Sequence, residues 1–204
     1  MKKIYLNLFI CILVCFLSGC SSQMFIESNV STECVESQLK NQNLIDSGRY
    51  YRIYQEDITN VNYDILNANG EVVLSETTDR PLIIKMINDD IIDISIGMGS
   101  GITTHKYYSV RHNLFSETFS YVFATSNELI AYIEIPKEQP LNGRKVVVRN
   151  AFDKEEFFKE FQLDFSDVDT PVIQASFSDD DSVLQITYLS GSEQVEISKS
   201  ISIK

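Results

Sequence analysis

The chain contains no tryptophan and only two histidines, and its acidic residues far outnumber its basic ones. The 29 Asp and Glu residues against 17 Lys and Arg residues give a formal net charge of −12 at pH 7. This balance excludes a general nucleic-acid-binding role, because no basic face is available to neutralise phosphates. The odd spacing of His105 and His112 predicts opposite faces of a single strand, so the two histidines are not expected to share a metal.

Long hydrophobic runs are also scarce, and the one that is present lies at the N-terminus. Lys2 and Lys3 precede an almost unbroken apolar stretch from Ile4 to Leu17, which is the order of residues in an export signal. A membrane-spanning helix needs about 20 apolar residues. The run is therefore too short for a good permanent anchor, and it is interpreted as the hydrophobic region of a signal peptide.

The apolar run ends in Leu17-Ser18-Gly19-Cys20, which resembles the lipobox of bacterial lipoproteins at all four positions. The resemblance implies that signal peptidase II cuts between Gly19 and Cys20 and that a diacylglyceryl group is attached to the Cys20 sulfur. Two acyl chains would hold the protein stably at the extracytoplasmic face of the cell membrane. Ser21 resembles the outer-membrane sorting pattern of hosts that have two membranes. The alternative is an ordinary signal peptide with a chance Gly-Cys pair.

Cysteine becomes rare once the signal is removed. Of the four cysteines, Cys11 and Cys15 would leave with the signal and Cys20 would carry lipid, so that Cys34 alone remains. An exported chain with one thiol has no internal disulfide. Its fold must therefore depend on burial and hydrogen bonding, and Cys34 is interpreted as an inert residue, with pairing between molecules as the alternative.

Composition divides the chain into three parts: a signal peptide (1–19), the lipidated cysteine with a polar tether (20–48), and one all-β domain (49–204). The tether is rich in Ser, Asn, Gln and Glu, with a marginal short helix near residues 32–42. In the domain, short runs rich in Ile, Val, Tyr, Phe and Thr alternate with Asn, Asp, Gly and Pro. Residues 117–124 are predicted as a single strand, and residues 153–161 fit either a helix or a strand.

Several hairpins share one pattern. Asn69-Gly70 is the strongest hairpin signal and predicts a two-residue type I′ turn. The segments 87–92, 125–130 and 177–184 resemble one another, and residues 110–115 resemble residues 148–152 at an offset of about 38 residues. This rhythm resembles the blades of a β-propeller, but closed propellers typically have four to eight blades. We therefore predict an antiparallel meander of hairpins that is incomplete and propeller-like, with a β-sandwich or completion as a homodimer as alternatives.

Two groups of carboxylates are candidates for a site. Asp164, Asp167 and Asp169 are candidate calcium ligands because calcium accepts clustered carboxylate oxygens, although aspartate also favours turns by bonding nearby backbone amides. A second aspartate cluster covers residues 179–181. Glutamates in the segment 155–160 would form a glycosidase pair only if the fold placed two carboxylates across a cleft, and a solvated charged face is the competing interpretation.

A glycine-rich segment and a set of tyrosines are interpreted mainly as structural features and not as parts of a catalytic or binding site. The segment Gly97-Met98-Gly99-Ser100-Gly101 lacks the ending of a phosphate loop and has its serine misplaced for a nucleophile elbow, so it predicts a hairpin connection. The tyrosines are interpreted mainly as core and cross-strand residues, with an aromatic recognition surface as the alternative. The tyrosines considered are Tyr50, Tyr51, Tyr54, Tyr107, Tyr108, Tyr121 and Tyr132.

No catalytic constellation and no cofactor motif is found in the sequence. We therefore expect a non-catalytic binding or scaffolding module at the cell envelope, held to the membrane through Cys20 and engaging another envelope protein or a ligand. The alternatives are an extracytoplasmic hydrolase that acts on an envelope or extracellular polymer, and a passive structural lipoprotein.

Overall fold

The computed structural model describes residues 43–136 and 143–204. These residues form 15 strands and no helix, and accordingly none of them belongs to a helix suited to crossing a membrane. The predictions for Cys20, for Cys34 and for a short helix near residues 32–42 concern residues outside the described ranges.

The strands form four antiparallel sheets, and within each sheet every strand pairs with the next one along the chain. Sheet A contains β1 (Asn43–Ser47), β2 (Tyr51–Gln55), β3 (Val61–Leu66) and β4 (Val72–Thr78). Sheet B contains β5 (Leu82–Met86), β6 (Ile91–Gly99), β7 (Ile102–Ser109) and β8 (Leu114–Ser120). Sheet C contains β9 (Val122–Ser126), β10 (Leu129–Glu134), β11 (Lys145–Asn150) and β12 (Phe158–Gln162). Sheet D contains β13 (Val172–Phe177), β14 (Val183–Ser190) and β15 (Val195–Ser202).

The four sheets stack face to face in chain order. Sheets A and B share a buried cluster that includes Tyr63, Ile92 and Tyr108. A second cluster joins sheet B to sheet C, and a third joins sheet C to sheet D. On β6 successive side chains point to opposite faces, yet the first five residues of the strand are all buried. Sheet B is therefore covered on both faces.

The two end faces of the stack carry polar side chains. On sheet A, Ser75 Oγ donates to Asp64 Oδ1 at 2.7 Å. On sheet D, Ser200 Oγ donates to Gln185 Oε1 at 2.7 Å, and the hydroxyls of Thr187 and Ser198 lie 2.9 Å apart. No hydrophobic cluster of the described residues joins sheet A to sheet D. The terminal units of repeat proteins also end a stack with polar outer faces. The described sheets therefore form an open antiparallel meander, which is consistent with the predicted incomplete, propeller-like arrangement and with its sandwich alternative.

The all-β prediction is confirmed, and several local predictions are corrected. Residues 117–124 are not one strand, because Tyr121 adopts a positive φ of 57° and separates β8 from β9. This left-handed residue carries the chain from the outer strand of sheet B to the first strand of sheet C. The ambiguous segment 153–161 enters β12 and forms no helix. The structure also places β1 inside the segment that was predicted as a tether.

The Asn69-Gly70 hairpin forms between β3 and β4, but its turn is not type I′. A type I′ turn needs a positive φ at both Asn69 and Gly70, but of these two residues only Gly70 has one, of 81°. Its amide donates to the Asn67 carbonyl at 3.0 Å, while the Asn67 amide donates to the Glu71 carbonyl. This is a three-residue loop with a left-handed glycine at its end. The side chain of Asn67 accepts bonds from the amides of Asn69 and Glu71, which favours the longer loop.

Candidate functional site

Five turns meet at one end of the sheet stack. In a four-stranded meander the first and third turns lie at the same end, and here these turns of sheets B and C join the first turn of sheet D. Together they border an open cavity of about 610 Å³, which we call the loop-end cavity. Its polar lining residues are Asn88, Asp89, Asp90, Arg111, Asn127, Glu128, Asn150, Glu156 and Asp181.

The turns around the loop-end cavity are shaped by short polar side chains. Asn88 Oδ1 accepts bonds from the amides of Asp90 and Ile91, both at 2.8 Å. Asn127 and Asp181 adopt positive φ values of 45° and 53°, a conformation that Asn and Asp tolerate better than most residues. The likeness among the three hairpin sequences therefore reflects equivalent turns in successive sheets.

The wall of the loop-end cavity is acidic. Asn150 is buried, and its Nδ2 donates to Glu128 Oε2 at 3.0 Å and to Glu156 Oε2 at 2.9 Å. One amide thus holds the carboxylates of two different turns together. Asn127 Nδ2 donates to Asp181 Oδ2 at 2.9 Å and links the turns of sheets C and D. The other oxygen of Asp181 is buried and has no partner among the described residues.

The lining contains five carboxylates, from Asp89, Asp90, Glu128, Glu156 and Asp181, and the guanidinium of Arg111. A concave surface in which one sign of charge predominates, here five carboxylates against one guanidinium, concentrates ions of the opposite sign. The loop-end cavity is therefore suited to a positively charged group. The aspartate at 181 belongs to the cluster 179–181 noted in the sequence.

A second polar group lies between sheets B and C, and we call it the inter-sheet cluster: Lys85, Asp93, Ser95 and His105. Asp93 is 1% exposed. Its carboxylate lies 3.0 Å from His105 Nδ1, accepts a bond from Ser95 Oγ at 3.0 Å, and lies 3.6 Å from Lys85 Nζ. A buried carboxylate needs such partners because desolvation of the charge is costly.

The inter-sheet cluster does not have the geometry of a catalytic triad. Ser95 Oγ lies 3.1 Å from His105 Nδ1, which is the same ring nitrogen that contacts Asp93. In a Ser-His-Asp triad the serine and the aspartate contact opposite nitrogens of the imidazole. What the cluster does is fix the orientation of His105, whose Nε2 takes no part in these contacts.

Tyr107 adjoins the inter-sheet cluster. Its ring stacks with His105 at a centroid distance of 6.3 Å and an interplanar angle of 16°. Burial raises the pKa of the Tyr107 hydroxyl far above its usual range, and the negative charge of Asp93 raises that pKa further. The hydroxyl oxygen has no hydrogen-bond partner among the described residues.

The structure disperses the carboxylates that the sequence grouped. In the described ranges no set of three His, Cys, Asp or Glu side chains is arranged to hold a metal ion, so Asp164, Asp167 and Asp169 do not form one. Asp164 accepts a bond from Ser190 Oγ at 3.3 Å. Glu160 Oε2 pairs with Lys145 Nζ at 2.9 Å.

The remaining sequence candidates take structural positions. His112 lies exposed in the turn after β7, so its predicted place on one strand with His105 was wrong. Ser100 forms a tight hairpin tip with a φ of 52°, between two glycines that also have positive φ, which confirms the hairpin connection. The tyrosines buried in the core are Tyr50, Tyr54, Tyr107 and Tyr108, while Tyr51, Tyr121 and Tyr132 are half-buried.

Sequence reasoning did not find Asp93. The signal was present, because Asp93 is the one charged residue in the run Ile91-Ile92-Asp93-Ile94-Ser95-Ile96. A charge inside a strand buried on both faces needs a partner from a neighbouring strand. Only the register of β6 with β7 and with β5 shows that His105 and Lys85 are those partners.

Comparison with known proteins identifies no family. No protein-family model matches the chain, and no curated protein matches it. Solved structures that resemble it include the computationally designed Ika4 protein, at 11% identity and a TM-score of 0.37, with 78% of this chain and 88% of that chain covered.

Two further similar structures are larger proteins. A prolyl endopeptidase from a structural and mechanistic study of two such enzymes has 18% identity and a TM-score of 0.38, over 84% of this chain and 29% of that chain. An uncharacterized protein from Listeria monocytogenes EGD-e has 10% identity and a TM-score of 0.34, over 79% of this chain and 53% of that chain. At these scores the likenesses carry no conclusion about function.

Proposed function

We propose that the protein is a lipid-anchored, non-catalytic binding module of the cell envelope, and that its loop-end cavity receives a positively charged group of a ligand or partner protein. The observation that carries the proposal is the convergence of five turns on one acidic cavity of about 610 Å³. Binding residues are commonly carried on loops that a rigid scaffold positions, and the stacked sheets are such a scaffold.

Two features of the loop-end cavity favour binding. Its volume falls within the range of about 300–1,000 Å³ that is typical of ligand sites. Three of its five carboxylates, those of Glu128, Glu156 and Asp181, are held in place by Asn150 and Asn127, so these side chains would lose little entropy when a ligand binds. The inter-sheet cluster, in contrast, lacks triad geometry and does not favour the hydrolase alternative.

The lipid anchor is tested by fractionating cells that express the Cys20→Ala variant. We expect this variant to be found in a soluble or unprocessed form, because the thiol that would carry the lipid is gone. Cys34→Ala is the matched control, since it also removes a thiol but leaves the lipobox-like segment intact. A Cys20→Ala protein that stays membrane-bound and normally processed would contradict the anchor.

The binding role is tested by crosslinking intact cells, recovering the tagged protein and analysing what accompanies it by mass spectrometry. A reproducible stoichiometric partner is expected for the natural chain. Its yield should fall at least fivefold in the double variant Glu128→Gln/Glu156→Gln, which removes two charges from the loop-end cavity.

The matched control for that experiment is Glu193→Gln/Glu196→Gln, which removes two exposed charges outside the loop-end cavity. An equal loss of partner in both double variants would mean that net charge, and not the cavity, mediates binding. Recovery of the protein alone from the natural chain would contradict the binding role itself.

A further inference from the structure

A second cavity system runs along β9, away from the loop-end cavity. One cavity of about 360 Å³ is lined by β9 residues, by β13, and by Lys85, Asp93 and His105 of the inter-sheet cluster. Another, of about 200 Å³, continues past the start of β9 to the segment 169–172. Both are lined by His105, Val122 and Phe123. They therefore form one elongated depression, which we call the β9 cleft.

The β9 cleft follows a free sheet edge. Among the described residues, β9 is the terminal strand of sheet C and pairs only with β10. β13 of sheet D lies beside β9 without forming a ladder with it. An edge strand presents a row of backbone donors and acceptors to any extended chain that approaches it.

The register of the hairpin identifies which backbone groups face the cleft. Ser126 pairs with Leu129 across a two-residue turn, so these two residues exchange hydrogen bonds. In an antiparallel ladder bonded and non-bonded pairs alternate. Thr125, opposite Ile130, is therefore a non-bonded position, and its N–H and C=O point away from β10.

A bulge shapes the same strand. The register shifts between the pairs Ala131–Ala124 and Tyr132–Val122, which leaves Phe123 as the extra residue. β-Bulges bend a strand and redirect a side chain. Here the bulged residue lines both halves of the cleft, so β9 presents an apolar side chain beside its free backbone edge.

The opposite wall of the cleft offers complementary polar groups. Asp93 holds His105 through Nδ1, which leaves Nε2 for a ligand. Lys85 is half-exposed and lines the same wall. A secondary amide matches this pair, because its N–H and C=O can form hydrogen bonds with an imidazole nitrogen and an ammonium group.

We propose that the β9 cleft binds a short extended peptide, which adds to β9 as a further strand while Lys85 and His105 contact its far edge. The free backbone edge decides for a peptide over a saccharide, because main-chain pairing along a sheet edge is how extended peptides gain affinity. The inference goes beyond the proposed function, since the cleft shares no lining residue with the loop-end cavity.

The test uses the full lipidated chain in detergent micelles. Random dodecapeptides displayed on phage are selected against it, and the tightest binders are synthesised and titrated by fluorescence anisotropy. Thr125→Pro removes the N–H that faces the cleft, and it leaves the β10 ladder intact because that N–H is not part of it. Thr125→Ala, which keeps the N–H, is the matched control.

We expect Thr125→Pro to weaken peptide binding at least tenfold and Thr125→Ala to change it by less than twofold. A proline scan of the peptide leaves the protein unaltered and is the second measurement. It should weaken binding at alternate positions, because only every second residue of an added strand bonds to β9.

Three results would overturn the inference. The first is a selection that yields no binding peptide. The second is peptide binding that is weakened neither by Thr125→Pro in the protein nor by proline substitution in the peptide. The third is binding of soluble cell-wall glycan fragments that is lost in His105→Ala but kept in Thr125→Pro, which would assign the cleft to a saccharide. None of these results bears on a partner held by the loop-end cavity.

Discussion

Replacing Tyr107 with phenylalanine is expected to stabilise the domain, although it removes a polar group from the core. Tyr107 is 1% exposed, and its hydroxyl oxygen finds no hydrogen-bond partner among the described residues. An unpaired buried hydroxyl costs about 1–3 kcal/mol. Phenylalanine keeps the ring contacts with His105 and Phe119 and removes that cost.

We therefore expect Tyr107→Phe to raise the free energy of unfolding by about 1 kcal/mol at neutral pH. For a domain of this size the melting temperature should rise by about 2–4 °C. The matched control is Tyr63→Phe, because Tyr63 is also 1% exposed but its hydroxyl donates to Glu76. The control should lower stability by about 1 kcal/mol, the net contribution of one hydrogen bond.

The comparison of natural protein with Tyr107→Phe also gives a prediction at high pH. Burial and the charge of Asp93 raise the pKa of Tyr107 above its usual value near 10. A raised pKa gives stability that is fully present below pH 10 and is lost as the pH rises further, because the unfolded tyrosine ionises first. Natural protein should therefore lose more stability above pH 10 than Tyr107→Phe does.

The assay is urea unfolding followed by far-ultraviolet circular dichroism, since the chain has no tryptophan. All proteins carry Cys20→Ala, which removes the proposed lipid attachment site from the comparison. If Tyr107→Phe were destabilised as much as Tyr63→Phe, the Tyr107 hydroxyl would have a partner and the reasoning would be wrong.

Two further substitutions test the turns around the loop-end cavity. Asn150→Ala removes the side chain whose Oδ1 accepts from the amides of Phe152 and Asp153 and whose Nδ2 donates to two glutamates, so urea unfolding should show a loss of about 1–3 kcal/mol. A loss below about 0.5 kcal/mol, which is typical of a surface substitution, would contradict this role of Asn150 in the turn. Hydrogen bonds from Ser182 and Ser178 lower the pKa of Asp180 to about 2, so the stability that this aspartate gives is present above about pH 4 and is lost as the pH falls through 2. The stability difference between natural protein and Asp180→Asn should therefore shrink between pH 4 and pH 2, and a difference that stays constant over that range would refute the assignment.

Local sequence patterns predicted most strands because each strand carries its own alternation or apolar run between turn residues. These patterns failed at positions where the local residue types are compatible with more than one backbone conformation. Tyr121 reads as part of a strand, yet it turns left-handed between two sheets. The loop that Gly70 ends is three residues long and starts one residue earlier than the predicted type I′ turn.

The candidate sites show the same division. The hairpin likeness near residues 88, 127 and 181 was visible in the sequence, but their meeting at one cavity required that the turns of successive sheets lie at the same end. Asp93 and His105 are 12 residues apart along the chain, and their contact depends on the register of β6 with β7. Register is set by the whole buried face of a sheet, which no short motif records.

The sequence by itself determined that the chain is all-β, acidic and built from repeated hairpins, because these properties follow from composition and from periods of a few residues. The tertiary structure alone decided how many sheets stack, that their outer faces stay polar, and which side chains meet at the loop-end cavity and along β9. Those outcomes depend on contacts between residues far apart in the chain, whose free energies are set by packing across whole sheet faces.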